Sequence, residues 1–221
     1  MSDYDKTEES TVKRIPMFAS YDKDLIHSLI DASPYCHVSA LVDDSPYIQP
    51  TVHWRDGENL YIHGAKKNKM VYALRKGAKA ALAFTHFDGY ILTRSAFAHG
   101  VVYRSVTLFG TAREIDDLDE KRSVLRLFVE RVSPGRWEAL RPPTVEELKM
   151  TGLLQFTIAN VSAKVAMQGK QVLSVLPGGE YEDAADQAFH PWTGLYPYAL
   201  IKASPVSTQE LIEQFTVSSV G

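Results

Sequence analysis

The chain has 221 residues, of which 45% are hydrophobic and 23% charged, and its 24 basic and 27 acidic side chains leave a formal charge of −3. This length and composition predict one globular domain that buries its own core. The acidic balance argues against a general nucleic-acid-binding protein. With no apolar run near 20 residues, a membrane-spanning helix is excluded. The N-terminus lacks a secretory signal pattern, so we expect a cytoplasmic protein.

The N-terminal region predicts a tail followed by a helix. Residues 1–14 contain few apolar side chains and predict a flexible tail, whereas residues 15–221 predict a single folded domain. A helix is predicted over Tyr21–Ala32, because its apolar residues recur at helical spacing and Ser20 precedes it as a candidate N-cap.

Most of the following elements predict antiparallel β structure. Alternating apolar residues predict strands, and Asp56-Gly57 and Asp88-Gly89 are typical of tight turns between strands. The predicted strands are Cys36–Val42, Tyr47–Trp54, Asn59–His63, Ala80–Thr85, Tyr90–Arg94, Val106–Ile115 and Leu153–Val161. Hairpin order without strict alternation of strand and helix favours an α+β, mainly β, domain built on an antiparallel barrel.

Three helices are predicted outside the strands of the barrel. Asp119–Val132 has the longest helical pattern, and Thr144 with Glu147 predicts a capping box for a short helix. A second capping box at Ser207 and Glu210 predicts a C-terminal helix. The intervening loop Pro177–Pro197 is long enough to suggest a functional role.

Segment Asn59–Met70 predicts a site for a small anion. Its strand runs through Gly64 into the start of a helix, where Lys67, Asn68 and Lys69 follow one another. Glycine permits a tight turn, and a helix start together with lysines favours a phosphate group. The same lysines are also typical of a solvated surface, so this segment alone does not identify a ligand.

A second candidate segment lies at His99–Gly110. Here Tyr103, Arg104 and Ser105 offer an aromatic ring, a guanidinium group and a hydroxyl, which together suit an aromatic ring system with a phosphate or polyol chain. Other chemistries lack their motifs: the sequence contains no HExxH, GxSxG, Walker or GxGxxG pattern. The seven histidines show no metal-binding spacing, so we predict no metal site.

Seven segments in chain order resemble one known family. They are Val12–Asp22, Cys36–Val42, Pro46–Trp54, Leu60–Met70, Tyr103–Ala112, Ser133–Trp137 and Trp192–Pro197. With these segments the chain is similar to the pyridoxamine 5′-phosphate oxidase-like FMN-binding split-barrel superfamily. The resemblance is to its branch of flavin-nucleotide-binding proteins related to nitroimidazole-resistance proteins.

The resemblance implies a six-stranded antiparallel split β-barrel with peripheral helices, forming a homodimer with FMN in a groove at the dimer interface. The cofactor-binding residues that it implies are Thr51, Val52, His53, His63, Gly64, Lys67, Asn68, Lys69, Tyr103, Arg104 and Ser105. Asn68 stands where the family uses a serine on the phosphate. The last three residues would come from a neighbouring strand or from the partner subunit.

The function that this resemblance implies is an FMN-dependent oxidoreductase acting on a small molecule, either nitroreductase-like or pyridoxamine-phosphate-oxidase-like. No catalytic residue is identified. The alternative is a flavin- or haem-binding protein without turnover, in which His53 or His63 would be the axial ligand of the haem. His53 could also simply pack on its hairpin, because a one-residue change of register would turn it to the other face.

Overall fold

A computed structural model of the chain describes residues 2–168 and 170–199, and it has an α+β, mainly β, fold. The helices are α1 Lys23–Ala32, α2 Lys69–Arg75, α3 Leu118–Val132, α4 Val145–Met150 and α5 Lys170–Leu173, with 3-10 turns at Pro16–Phe18, Trp137–Ala139 and Ala184–Ala188. The strands are β1 Ala19–Ser20, β2 Cys36–Val42, β3 Ser45–Thr51, β4 His53–Asp56, β5 Asn59–Ala65, β6 Ala80–Leu92, β7 Gly100–Gly110, β8 Arg113–Ile115, β9 Thr151–Thr157, β10 Asn160–Ala166 and β11 Gly194–Pro197. None of the helices in these ranges has the length and apolarity needed to cross a membrane.

The strands form two antiparallel sheets of a split barrel. One sheet has the order β1-β10-β7-β6-β2-β3, with β11 paired to β6, and the other has the order β4-β5-β9-β8. The chain passes between the sheets at Val52, at residues 111–112 and at residues 158–159. The predicted fold class is confirmed. The strand count in the described residues is higher than six because long strands are interrupted where they change sheet and short edge strands are added.

Two apolar clusters hold the sheets and helices together. The main cluster fills the barrel with side chains from both sheets and from helices α1 and α2, including Ile30, Leu74 and Phe84 at 0% exposure. The second cluster lies between the four-stranded sheet and α3, and Trp54 and Val124 belong to it. Alternate residues of one strand therefore point into different clusters, as strand geometry requires.

Helix α1 begins two residues later than predicted. Its N-cap is Asp22, whose carboxylate accepts a hydrogen bond from the Leu25 N–H at 2.8 Å, so the prediction of Ser20 as N-cap was wrong. Both residue types can cap a helix, but Ser20 lies in β1, where it pairs with Ala163. The predicted capping box of α4 is confirmed at Thr144 and Glu147.

The segment predicted as a flexible tail carries buried side chains. Tyr4 is 6% exposed and belongs to the main core cluster, and its hydroxyl hydrogen-bonds to His27 Nε2 at 2.6 Å and to the Glu58 carboxylate. Ser10 is 1% exposed. The sequence argument counted few apolar side chains in residues 1–14, and it did not anticipate that one tyrosine would reach the core.

Asp88-Gly89 forms a bulge inside a strand, so the prediction of a turn there was wrong. The two strands predicted around this dipeptide are one continuous strand, β6, whose register with β7 shifts between Phe87 and Gly89. A Cβ at Gly89 would lie 2.5 Å from the Tyr196 carbonyl oxygen, so glycine is required by the close approach of β11. The predicted C-terminal helix lies outside the described residues.

Candidate functional site

The position of α2 after β5 depends on a pair of glycines in the sheet below it. Gly64 of β5 and Gly152 of β9 are Cα partners across the sheet, and Val71 of α2 packs directly over both. A Cβ at Gly64 would lie 3.0 Å from a Val71 methyl group, and one at Gly152 would lie 2.5 Å from the other. Gly64 was expected to provide a tight turn, but it lies within β5 and lets the helix approach the sheet. Its predicted place in the lining of the flavin groove stays a prediction.

Three predicted phosphate-binding residues follow this strand. Asn68 is the N-cap of α2, and its side-chain oxygen accepts a hydrogen bond from the Val71 N–H at 3.2 Å. Lys67 and Lys69 are exposed on either side of Asn68. The oxygen of Asn68 is therefore engaged in holding the helix start, whereas the two ammonium groups project from the same turn toward solvent.

Lys66, which precedes Lys67 and Lys69 in this turn, forms ion pairs with acidic residues of the β8 region. Its ammonium group lies 3.3 Å from Glu114 and 3.1 Å from Asp116, and Arg75 at the end of α2 lies 2.6 Å from the same Glu114 oxygen. Burial acts to lower the pKa of Lys66, but its hydrogen bonds to the two carboxylates outweigh burial and raise it. Glu114 thus connects both ends of α2 to β8.

A buried lysine lies next to this ionic cluster. Lys121 of α3 is 1% exposed and donates to the carbonyl oxygens of Leu148 and Thr151 at 3.0 and 2.9 Å. Burial lowers its pKa, and the nearby charge of Lys66 lowers it further. Its two carbonyl partners lie where α4 joins β9. Lys121 therefore stabilises that junction, which lies beside Gly152. The sequence offered no signal for this role, because Lys121 sits in a polar stretch of an amphipathic helix.

His63 and Gly64, which were predicted to line one groove, occupy opposite faces of β5. The His63 ring lies in the second cluster, with its centroid 5.5 Å from Trp54 and 5.7 Å from Phe128. Its Nδ1 atom is buried and has no partner among the described residues. Burial lowers the pKa of His63, so the ring is neutral at pH 7.

His53 points into the barrel and hydrogen-bonds to the C-terminal end of α1. It is 4% exposed, its Nε2–H donates to the Ile30 carbonyl at 2.9 Å, and its ring lies edge-on to Phe84 at 4.8 Å. His86 makes the matching bond to the Leu29 carbonyl at 2.8 Å. The two histidines thus donate to consecutive carbonyls near the C-terminus of α1, where few intrahelical donors are left; the Ile30 carbonyl also accepts from the Ser33 N–H at 3.2 Å. The interpretation of His53 as a packing residue is the one that agrees with this geometry.

The other two predicted site residues of this hairpin, Thr51 and Val52, lie beside His53 where the chain changes sheet. Thr51 ends β3, and Val52 links β3 to β4 with 42% of its surface exposed. Both can therefore be reached from outside the barrel. No hydrogen bond within the described residues connects them to the lysines of the β5–α2 turn.

The second predicted segment lies in the other sheet from β5. Arg104 of β7 makes a bidentate ion pair with Asp88, with distances of 2.8 and 2.7 Å, and Gln168 donates to the same carboxylate at 3.3 Å. By strand alternation, Tyr103 and Ser105 face the opposite side of the sheet from Arg104. Because β7 pairs with β6 and β10, this segment does not lie on a strand next to β5 within one chain. Its predicted contribution to the flavin site, from a neighbouring strand or from a partner subunit, stays a prediction.

The described residues show no centre for a bound metal ion. Within residues 2–168 and 170–199, no three His, Cys, Asp or Glu side chains come together in a metal-binding arrangement. The absence of a metal site in the whole protein stays a prediction.

A model of one protein family matches most of the chain. The family is described as pyridoxamine 5′-phosphate oxidase, and its model matches residues 22–165. Among curated proteins, none matches this chain.

Two solved structures share more than 30% of their aligned residues with this chain. The flavocytochrome Anf3 from Azotobacter vinelandii is 32% identical, covers 91% of this chain and 90% of its own, and has a TM-score of 0.77. An FAD- and haem-binding protein from Mycobacterium smegmatis is 31% identical, covers 86% of this chain and 89% of its own, and has a TM-score of 0.75.

A more distant structure shows the same fold. It is a 5-nitroimidazole antibiotic resistance protein, described as putative, from Bacteroides thetaiotaomicron. Its sequence is 17% identical, it covers 66% of this chain and 86% of its own, and its TM-score is 0.57.

Proposed function

We propose that this chain, which belongs to the pyridoxamine 5′-phosphate oxidase family, binds a flavin nucleotide and acts in electron transfer to a small molecule. The observation that carries the proposal is the likeness, above 30% identity and over most of the chain, to a flavocytochrome and to an FAD- and haem-binding protein. A bound flavin would supply the redox chemistry, while the protein would supply binding, orientation and charge.

The phosphate of the flavin is assigned to Lys67 and Lys69. Their ammonium groups are exposed on the β5–α2 turn, whereas the neighbouring Lys66 is neutralised by Glu114 and Asp116. A phosphate binds most favourably where positive charge is not already paired. The glycine pair under Val71 and the Glu114 bridge give this turn a defined position, which a binding site requires.

We propose FAD rather than FMN as the bound nucleotide. The sequence resemblance implied FMN, but the FAD- and haem-binding relative is 31% identical over 86% of the chain. Both nucleotides carry the ring system and a phosphate, so the lysine assignment holds for either. Extraction of the bound nucleotide distinguishes them.

The proposal includes a homodimer. The candidate segments on β5 and β7 lie in different sheets of one chain, so a second copy is the simplest way to bring them to one ligand. Apolar side chains are exposed on the β3 edge and on α2 nearby: Ile48 is 65% exposed, Val52 42% and Tyr72 55%. Burial of these side chains against a second copy would favour association.

Haem is the second candidate ligand, alone or with flavin. Both relatives above 30% identity include haem or a cytochrome in their description. Of the two histidines considered as axial ligand, His63 fits better, because its neutral ring keeps a buried Nδ1 without a partner among the described residues. The Nε2–H of His53 already donates to the Ile30 carbonyl, and the ring is enclosed by the core.

The visible spectrum of the purified full-length chain tests these ligands. We expect a flavin band, with FAD or FMN identified by chromatography after the protein is denatured, and a Soret band if haem is also held. A colourless protein that takes up neither flavin nor haem on titration would overturn the proposal. Light scattering of the same sample gives the mass of the dimer or of a single chain.

The lysine assignment predicts a loss of flavin affinity on charge reversal. Replacing both Lys67→Glu and Lys69→Glu should raise the Kd for the flavin about tenfold, because two charge-assisted contacts to phosphate are lost. The matched control is Lys76→Glu with Lys79→Glu, which reverses two exposed charges outside the turn. Fluorescence titration of flavin checks both, and equal affinities in the two double variants would place the phosphate elsewhere.

A further inference from the structure

The corner where α4 joins β9 is hydrogen-bonded to the turn that carries the proposed phosphate ligands. The Lys66 N–H donates to the Met150 carbonyl at 3.2 Å. Beside this bond, Ala65 pairs with Thr151 across the sheet. The turn itself is closed by the Asn68 N–H, which donates to the Ala65 carbonyl at 2.9 Å. The position of the whole turn therefore depends on where this corner lies.

Lys121 is a side chain that fixes this corner. Its ammonium group donates to the Leu148 carbonyl at 3.0 Å and to the Thr151 carbonyl at 2.9 Å, on either side of Met150 in the chain. Leu148 belongs to the last turn of α4, where carbonyl groups generally lack a partner within the helix. One ammonium group thus joins the end of the helix to the first residue of the strand.

The burial of Lys121 is unfavourable in itself. The side chain is 1% exposed, and within the described residues its hydrogen bonds go to carbonyl oxygens and none goes to a carboxylate. Transfer of an ammonium group out of water costs free energy unless polar groups replace the lost hydration. An apolar side chain of similar length would fill the same space without that cost, so the two hydrogen bonds are what a lysine adds here.

The residue that the corner holds by its backbone is also held by its side chain. The Lys66 ammonium group forms ion pairs with Glu114 at 3.3 Å and with Asp116 at 3.1 Å. Those carboxylates lie on the segment that leads into α3, and the N-terminal part of α3 carries Lys121. The start of α3 is therefore connected to Lys66 by two routes, through the acidic side chains and through the backbone of the corner. Because Lys67 follows Lys66 directly, both routes limit where its ammonium group can project.

We propose that Lys121 is a positioning residue of the phosphate site. Through its two carbonyl partners it fixes the corner that accepts the Lys66 N–H, and it thereby sets the position of the turn that presents Lys67 and Lys69. A site gains affinity when its binding groups are held in place before the ligand arrives. The phosphate as ligand rests on the proposed function. The hold of Lys121 on the turn does not, because it consists of hydrogen bonds within the chain.

Amide hydrogen exchange, followed by NMR in the flavin-free full-length protein, tests the hold on the turn. In Lys121→Met, which keeps a long side chain but donates no hydrogen bond, the Lys66 amide should exchange about tenfold faster. The matched control is Val124→Ala, since Val124 is a buried residue of the same helix and belongs to the second cluster. It should lower the thermal midpoint and leave the exchange of Lys66 unchanged. Lys121→Gln, which keeps an N–H donor on a shorter side chain, should give an intermediate rate and takes the place of Lys121→Met if that variant does not fold.

Flavin titration of the same variants tests the consequence for the phosphate. Lys121→Met should raise the Kd for the flavin about tenfold and shift the phosphorus NMR resonance of the bound phosphate, whereas Val124→Ala should leave both as in the wild type. Wild-type exchange of the Lys66 amide in both Lys121 variants would overturn the inference, and so would equal Kd values in Lys121→Met and Val124→Ala. A wild-type chain that binds no flavin would overturn the proposed function alone, and the exchange measurement would still decide whether Lys121 holds the turn.

Discussion

Acidification from pH 7 to pH 4 should reduce the free energy of unfolding by about 3 kcal/mol through His53 alone. Burial lowers the pKa of His53 from its ordinary value of 6.5 to about 4, with its hydrogen bond to the Ile30 carbonyl acting weakly in the opposite direction. The unfolded chain therefore binds more protons than the folded chain between these two pH values. The contribution is complete above pH 6.5 and is lost as the pH falls toward 4.

Urea unfolding at a series of pH values measures this loss. In His53→Gln the side-chain amide can still donate to the Ile30 carbonyl but cannot take up a proton, so the decrease between pH 7 and 4 should become smaller by about 3 kcal/mol. Some decrease should remain, because burial also lowers the pKa of His63. The control is His99→Gln, which changes an exposed histidine on the β6–β7 hairpin. An unchanged pH dependence in His53→Gln would contradict the assigned burial.

Gly152→Ala should destabilise the protein by about 2 kcal/mol, because overpacking against a helix forces the helix or the strand to move. The new Cβ would lie 2.5 Å from a methyl group of Val71, a distance that requires displacement. Movement of α2 would also displace Lys67 and Lys69, so flavin affinity should fall together with stability. Thermal unfolding and flavin titration measure the two effects on the same variant.

A double-mutant cycle identifies the contact. Val71→Ala removes the methyl groups that meet the new Cβ, so Gly152→Ala should cost less than about 0.5 kcal/mol when it is made in that background. Gly110→Ala is the matched control, since a Cβ there has nothing within 4 Å, and it should leave stability nearly unchanged. Equal costs of Gly152→Ala with and without Val71 would show that another contact is responsible.

The sequence correctly indicated which residues of the β5–α2 region are polar and close to each other along the chain. Asn68 was expected at a helix start and is the N-cap of α2. Gly64 was interpreted as a turn residue because glycine most often relieves backbone strain, yet its purpose here is to let Val71 approach. That distinction depends on Gly152, which lies 88 positions away in the sequence and pairs with Gly64 only in the folded sheet.

The charge of the candidate site also depended on distant residues. Six basic side chains between Lys66 and Lys79 suggested one continuous cationic surface. In the structure Glu114 and Asp116 neutralise Lys66 and Arg75, and a smaller cationic turn remains. Similarly, Arg104 stays a predicted ligand residue, but in the folded chain its guanidinium group is already held by Asp88 in a bidentate pair.

By itself, the sequence determined the α+β class, the antiparallel order of the strands and the family to which the chain belongs, because these follow from local periodicity, turn residues and ordered motifs. Only the tertiary structure decided which side of a strand each candidate residue faces and which charges are already paired. His53 and His63 illustrate the reason. Strand alternation is visible in sequence, but the identity of the element that covers each face is decided by packing between residues far apart in the chain.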